Sequence, residues 1–386
     1  MDPFYVMEIA KAASEIAKNF NESDSPMVYL NIGEPDFTAP VLVQKAAQSA
    51  LTSGNTQYTP AIGLLPLRKR ISTWYADRFN ISVDASRIII TSGASAALHL
   101  ACLALVDTGD EILMTDPCYP CNKQFVHSAD GVATLLPSTA ESRFQLTADQ
   151  VNENWKPGQT KGILLASPSN PTGTSIEPEE LKKIHQTVNI LGGVTIVDEI
   201  YLGLSFDNKY GQTSLHLGEN IISINSFSKY FNMTGWRLGW MVVPDYLVST
   251  IERLAQNIFI CPSALAQHAA LACFEKESLH EYERRRQAFK DRRDYFIPAL
   301  KNIGWKVPVI PDGGFYAWTD VTEICKYKGI KDSWDLSLQV MKEAHVAFTP
   351  GRDFSSNVGQ NFVRFSTASS MEQLETAIDR LKKWSA

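Results

Sequence analysis

Apolar residues at Val6, Ile9, Ala10, Ala13, Ile16, Ala17 and Phe20 recur three and four apart, the spacing of an amphipathic helix that docks by one face. Gly33 and Pro35 interrupt that pattern in the loop Asn31-Ile32-Gly33-Glu34-Pro35-Asp36-Phe37. A second helix is expected from near Pro40, then a loop at Gln57-Tyr58-Thr59-Pro60 and Gly63, then a helix over about 64–79. From Arg87 the pattern changes. Short β-branched and apolar runs predict strands over 88–90, 111–115, 132–136, 162–166, 194–197, 221–224 and 238–243. Helical stretches such as 96–106 and 178–191 separate several of them, and the first is apolar nearly all round, as a buried helix is. This alternation predicts a mostly parallel sheet with helices on both faces. Beyond Pro262 the chain reads as helical to about Leu300. Residues 304–386 read as a smaller α+β unit, with strands near 314–318 and 361–366 and a last helix from Met371.

A chain of 386 residues is long enough for one large and one lesser domain, and the boundary falls near residue 285, inside or beside a long helix. The net charge of −6 argues against a general nucleic-acid binder. Arg284, Arg285, Arg286, Arg292 and Arg293 do cluster, but Glu281, Glu283, Asp291 and Asp294 interleave with them, so a solvated helix face is expected. The N-terminus has no basic signal-peptide region, and no apolar run reaches the length of a membrane span, so a cytoplasmic protein is expected. Six cysteines suit a reducing compartment. Cys118 and Cys121 form a C-x-x-C, yet no second pair or thioredoxin-like context accompanies it, so neither a metal nor a redox role is assigned.

Chemistry gathers where strands end, which is where open α/β sheets bind ligands. Gly93-Ala94-Ser95 opens a helix, whose N-terminus offers free N–H groups to an anion. Asn170 stands between Pro168 and Pro171, positioned for its amide to meet a ligand oxygen. Asp198 ends an apolar strand, where a carboxylate is costly unless it meets a cation, and Tyr201 follows. Ser226, Ser228, Lys229 and Arg237 follow the 221–224 strand; hydroxyls and a guanidinium would hold a phosphate while the amine attacks a carbonyl. Plainer readings remain open for single motifs: a simple strand-to-helix turn at 93–95, an Asx turn at Asn170 and a solvated lysine.

Six motifs taken in order carry a resemblance: NIGEPDF at 31–37, QYTP at 57–60, SPSNPTG at 167–173, DEIY at 198–201, SFSKYFNMTGWRLGW at 226–240 and VRFS at 363–366. Over nearly its whole length the chain resembles the fold-type I, class I/II aminotransferases, pyridoxal-phosphate enzymes similar to aspartate aminotransferase. The resemblance implies an α/β fold of three layers, with a large domain over 40–285 and a small domain formed by 1–39 and 286–386. It implies a Schiff base between Lys229 and the cofactor pyridoxal 5′-phosphate, Asp198 on the pyridine nitrogen, and Tyr201 and Asn170 on the ring oxygen. Tyr119 would stack on the ring; Ala94, Ser95, Ser226, Ser228 and Arg237 would hold the phosphate, joined by Tyr58 of a neighbouring subunit in a homodimer. Gly33 would lie over the substrate and Arg364 would grip its α-carboxylate. The implied activity is ping-pong transfer of an amino group from an L-amino acid to a 2-oxo acid. A β-lyase cleaving a C–S bond on the same fold is the alternative, and a non-catalytic aminotransferase-like regulator a more distant one. The choice of donor stays open: relatives specific for aspartate or prephenate commonly carry Lys at the position of Ser95, which weakens a dicarboxylate substrate without excluding it, and Phe259, Ile260 and the 6–9 turn could instead build an apolar side-chain pocket.

Overall fold

Strands buried along their whole length need helices over both faces, and the central sheet is built that way. The computed structural model describes residues 5–18 and 26–386. After α1 (Tyr5–Ala17) and β1 (Val28–Tyr29) come α2 (Val41–Thr52), α3 (Leu65–Phe79), β2 (Ile88–Thr91) and α4 (Ala94–Leu105). Next are β3 (Glu111–Asp116), α5 (Cys121–Ser128), β4 (Val132–Pro137), α6 (Ala148–Asn154) and β5 (Thr160–Ala166). Then follow α7 (Pro178–Ile190), β6 (Val194–Asp198), β7 (Ile221–Ser226), β8 (Gly239–Val242), α8 (Asp245–Ile258), α9 (Ala264–Ala270) and α10 (Lys276–Asn302). The chain closes with β9 (Tyr316–Asp320), α11 (Thr322–Lys328), α12 (Ser333–Ala344), β10 (Val346–Ala347), β11 (Thr349–Pro350), β12 (Phe362–Ser366) and α13 (Met371–Ser385).

Seven strands form the main sheet in the order β2-β8-β7-β6-β5-β3-β4. The neighbours from β7 through β4 are parallel, and only β8 runs against its two neighbours. Side chains alternate between the two covers: Ile88, Ile90, Val197 and Val242 face one core, while Ile89, Ile196, Met241 and Val243 face the other. A mostly parallel α/β sheet is what the alternation predicts, and it is what the chain builds. β11, β12 and β9 form a separate antiparallel sheet, and β1 pairs with β10. These pack with α12, α13 and the end of α10 around Trp305, Phe348 and Phe365.

Residue 285 falls inside α10. The expected N-terminal helix is α1; Phe20 lies outside the described residues. Helices α5, α6, α8, α11 and α12 were not expected. The solvated-face expectation fails for two of the arginines. Arg285 and Arg292 are buried, Arg285 donating to the Thr38 carbonyl and Asn232 Oδ1, and Arg292 forking onto Asp36 at 2.8 and 2.7 Å.

Candidate active site

Because β2, β3, β5, β6 and β7 run the same way, their C-terminal ends open at one edge, and the loops that leave them line one cleft of about 300 Å³. At the end of β2, Gly93 caps α4 with a left-handed φ of 82°. A Cβ there would sit 2.7 Å from Arg237 Nη2, so glycine is what lets the guanidinium reach the start of the helix. Gly239 lets β8 pass close to the same turn, since its Cβ would lie 2.8 Å from the Ala94 nitrogen. The first N–H groups of α4, at Ala94 and Ser95, have no acceptor inside the helix. Ser226, Ser228 and Arg237 line the cleft beside them. The arrangement is a cradle for an anion.

Two acids follow one another at the end of β6 and have different environments. Glu199 accepts hydrogen bonds from Ser214 N, Thr213 Oγ1 and Ser223 Oγ and is fully engaged in the scaffold. Asp198 lines the cleft and receives the Ile200 N–H at 3.1 Å. Burial raises its pKa from the usual 3.8 to about 7, the nearby Glu199 adding to the rise and that N–H and Lys229 opposing it. A cation against this carboxylate would relieve the burden. Tyr201 lies on the same wall, its hydroxyl 2.8 Å from that of Tyr316. Burial lifts the Tyr201 pKa well above its ordinary range, so the phenol stays protonated.

Lys229 enters from the loop after β7 and donates to the Gly33 carbonyl at 2.7 Å. Burial brings its pKa down from 10.5 to about 8; Glu34 works against that shift, and Arg364 and Arg237 reinforce it. An amine so placed is neutral in a useful fraction near neutral pH.

Arg364, on β12, is 3% exposed, and no acid among the described residues pairs with it. Its guanidinium lies between the rings of Tyr316 and Phe354, at 4.5 and 4.6 Å. Nη1 donates to Asn170 Oδ1 at 2.9 Å and Nη2 to the Asn31 carbonyl at 2.7 Å, while Nε is buried without a partner. A buried cation with an unused donor fits a carboxylate.

The cleft thus brings together Gly33, Ala94, Ser95, Tyr119, Asn170, Asp198, Tyr201, Ser226, Ser228, Lys229, Arg237 and Arg364. Tyr58 is absent from it and 83% exposed. Phe259 and Ile260, expected to build a pocket, do not line the cleft: Phe259 packs on the core beneath α4 and α8, and Ile260 is half exposed. From the 6–9 turn only Val6 and Met7 reach it, since Ile9 is buried against Met27 and Met341. Tyr316, Ile32 and the Asn31 carbonyl were not foreseen; the glycine pair Gly313-Gly314 just before Phe315 and Tyr316 was the available signal for the first. All six cysteines are free thiols, and no His, Cys, Asp and Glu cluster among the described residues would hold a metal ion. No helix there is long and apolar enough to cross a membrane.

The model of the family "Aminotransferase class I and II" matches residues 25–381. The chain is 35% identical over 384 residues to a valine–pyruvate aminotransferase of Mycobacterium tuberculosis, covering 99% of this chain and 96% of that one. It is 33% identical over 386 residues to a (5-formylfuran-3-yl)methyl phosphate transaminase of Methanocaldococcus jannaschii, covering 99% and 97%. Its fold superposes on the crystal structure of an aminotransferase from Mycobacterium tuberculosis with a TM-score of 0.92 at 35% identity, over 100% of this chain and 97% of that one. Thermus thermophilus aspartate aminotransferase with maleate gives 0.90 at 29%, over 99% and 97%. With the six motifs in order and five of them sending residues into one cleft, the chain belongs to the class I and II aminotransferases and is an enzyme of amino-group transfer.

Proposed function

We propose that the enzyme works with pyridoxal 5′-phosphate and carries the amino group of an L-amino acid to a 2-oxo acid in two half-reactions. The observation that carries this reading is the convergence of Asp198, Lys229, Arg237 and Arg364 on one cleft, each with a different task open to it. The residues fit the cofactor. The α4 N-terminus, Ser226, Ser228 and Arg237 would hold its phosphate, and Asp198, burdened by burial, would hold a protonated ring nitrogen. Tyr201 and Asn170 would donate to the ring oxygen, and Tyr119 would cover the ring face. Bound there, the group supplies an aldehyde for amines and an electron sink for the Cα carbanion.

The chain's own residues do the rest. Arg364, which lines the cleft and has an unused Nε donor, would take the α-carboxylate in a bidentate contact that fixes Cα. Gly33 keeps the path over the substrate narrow. A Cβ there would lie 1.9 Å from the Tyr316 hydroxyl. Lys229, with its lowered pKa, takes up the Cα proton and returns it in the reverse half-reaction.

The large domain is assigned to 40–285, and the small one to 1–39 with 286–386; the division of the cores around the seven-stranded sheet and around Trp305 supports this. The exposure of Tyr58, outside its own cleft, supports a homodimer in which it reaches the neighbour's phosphate. Six free thiols support a cytoplasmic location. In the test, Lys229→Ala is loaded with cofactor and assayed for transfer to 2-oxo acids. Transfer should fall by at least a thousandfold while the protein stays folded; near-normal turnover would remove Lys229 from the reaction.

A further inference from the structure

We propose that the amino donor carries an apolar side chain, and that Ile32, Met7 and Val6 form the wall that selects it. This deepens the reading of the cleft given above and rests on it. Among the described residues that line the cleft, four are charged: Asp198, Lys229, Arg237 and Arg364. Each is committed, to the ring nitrogen, the proton transfer, the phosphate and the α-carboxylate. A second carboxylate on the substrate would leave water and meet no uncommitted cation of its own subunit. Two carboxylates flank the wall instead. Asp353 accepts the Val6 N–H at 2.8 Å, and Glu34 follows Gly33 and accepts the Thr234 hydroxyl. Their sign repels an acidic side chain.

The position of Ile32 is what ties the wall to the substrate. Its neighbour Asn31 holds the Arg364 guanidinium through its carbonyl, and its other neighbour Gly33 holds the Lys229 amine. Ile32 therefore lies beside both the carboxylate grip and the proton carrier, where a substrate side chain leaves Cα. Val6 is packed against Phe354, the ring on which Arg364 rests, together with Phe144 and Trp318. Met7 and Ile32 remain 60% and 45% exposed. One exposed apolar residue is ordinary, but two on the wall of a substrate cleft leave area that an apolar side chain would cover. Leu98 extends the apolar lining on the α4 side.

The experiment uses the cofactor-loaded full chain. Donor efficiency, kcat/KM with pyruvate as acceptor, is compared for leucine, methionine and phenylalanine against aspartate and glutamate. Calorimetry in parallel compares binding of two unreactive acids, isocaproate and maleate. We expect the apolar donors to lead by at least about tenfold and isocaproate to bind more tightly than maleate. Ile32→Ala and Met7→Ala should each lower kcat/KM for leucine by about tenfold, several times more than for alanine. Ile32→Lys should move the preference toward aspartate. A wild-type preference for aspartate with tighter maleate binding would overturn the apolar class while leaving amino transfer intact, and would mean that another subunit brings a cation to the cleft. No transfer from any donor would instead overturn the underlying reading, and the two acids would then decide the wall by binding alone.

Discussion

Asp198 combines a buried position, a single backbone N–H donor and a pKa near 7, and the sign of that shift has a measurable consequence. A carboxyl whose folded pKa lies above its unfolded value keeps in the fold a proton that the unfolded chain releases. Its effect on stability is therefore neutral below about pH 4 and grows unfavourable as pH rises toward 7. Lys229 has the opposite dependence: its lowered pKa makes the charged amine unfavourable, and that burden lifts as pH rises beyond 8. With any bound aldehyde cofactor first captured by hydroxylamine and then dialysed away, Asp198→Asn should melt at a higher temperature than the wild type at pH 7.5 and at nearly the same temperature at pH 4. Equal melting at both pH values would show that water or a rotated side chain already relieves the carboxylate. Such a gain in stability from removing a functional group is expected where a site is built for a ligand. Asp198 and Lys229 were legible in the sequence because each is a polar group at or just beyond the end of an apolar strand, a placement that burial makes costly, whereas Arg364 was reached through the VRFS motif of the family resemblance. Tyr316 was not legible, because its hydroxyl reaches Tyr201 from 115 residues away and only tertiary packing brings the two together.

Helix α10 shows how an element can hide its function in a sequence that looks like surface. Tyr282, Arg285, Phe289, Arg292 and Phe296 fall three and four apart and form its buried stripe, with two arginines set where apolar residues would be expected. Counting charges gives a solvated face; following the stripe gives two buried cations that need partners. Those partners lie in the loop before α2. Phe37 lies 5.1 Å from each guanidinium and meets Phe289 edge-on, Arg292 forks onto Asp36, and Arg285 holds the Thr38 carbonyl. The same loop carries Gly33, against which Lys229 rests, so α10 braces the cleft from a distance. Arg292→Leu keeps the packing volume but strands Asp36, which is partly exposed, so we expect a loss of about 2 kcal/mol in urea unfolding, less than for a fully buried pair. Arg292→Lys should recover only part of it, because the fork is lost. A loss within error would make the fork dispensable. The strands missed at the sequence level share one trait: β1, β10 and β11 are two residues long, too short for any periodicity, and the pairing of β1 with β10 spans most of the chain. Helix α8 did carry a signal, with Leu247, Ile251 and Ala255 four apart, but it lies just after a strand whose apolar run masks its start.

At the scale of the whole molecule the cleft is asymmetric. Its scaffold side, from the strand ends, is closed, but Arg237 is exposed beside the anion cradle, and a second groove of about 650 Å³ runs past Thr234 toward Glu34, Trp236 and Ser263. A guanidinium that is to hold a phosphate gains from being removed from water, since screening weakens an exposed pair. Tyr58, Ile258 and Ile260 present exposed apolar surface outside their own chain's cleft, and a second copy related by a twofold axis would bury such surface on both subunits at once. If Tyr58 completes the neighbour's phosphate site, then activity and cofactor affinity belong to the dimer. Sedimentation at assay concentration should show a dimer, and Tyr58→Phe should weaken cofactor binding by about tenfold without dissociating it, the loss expected for one hydrogen bond to a charged group. The decisive measurement mixes Tyr58→Ala, assayed at a cofactor concentration low enough to leave it largely empty, with inactive Lys229→Ala, after partial unfolding and refolding together. A hybrid dimer then has one site lacking both groups and one site with both intact, so activity should return toward a quarter of the wild-type level when the proteins are mixed equally and pair at random. Recovery of none, with hybrids demonstrated by mass, would place Tyr58 in its own subunit's work and leave each cleft to function alone.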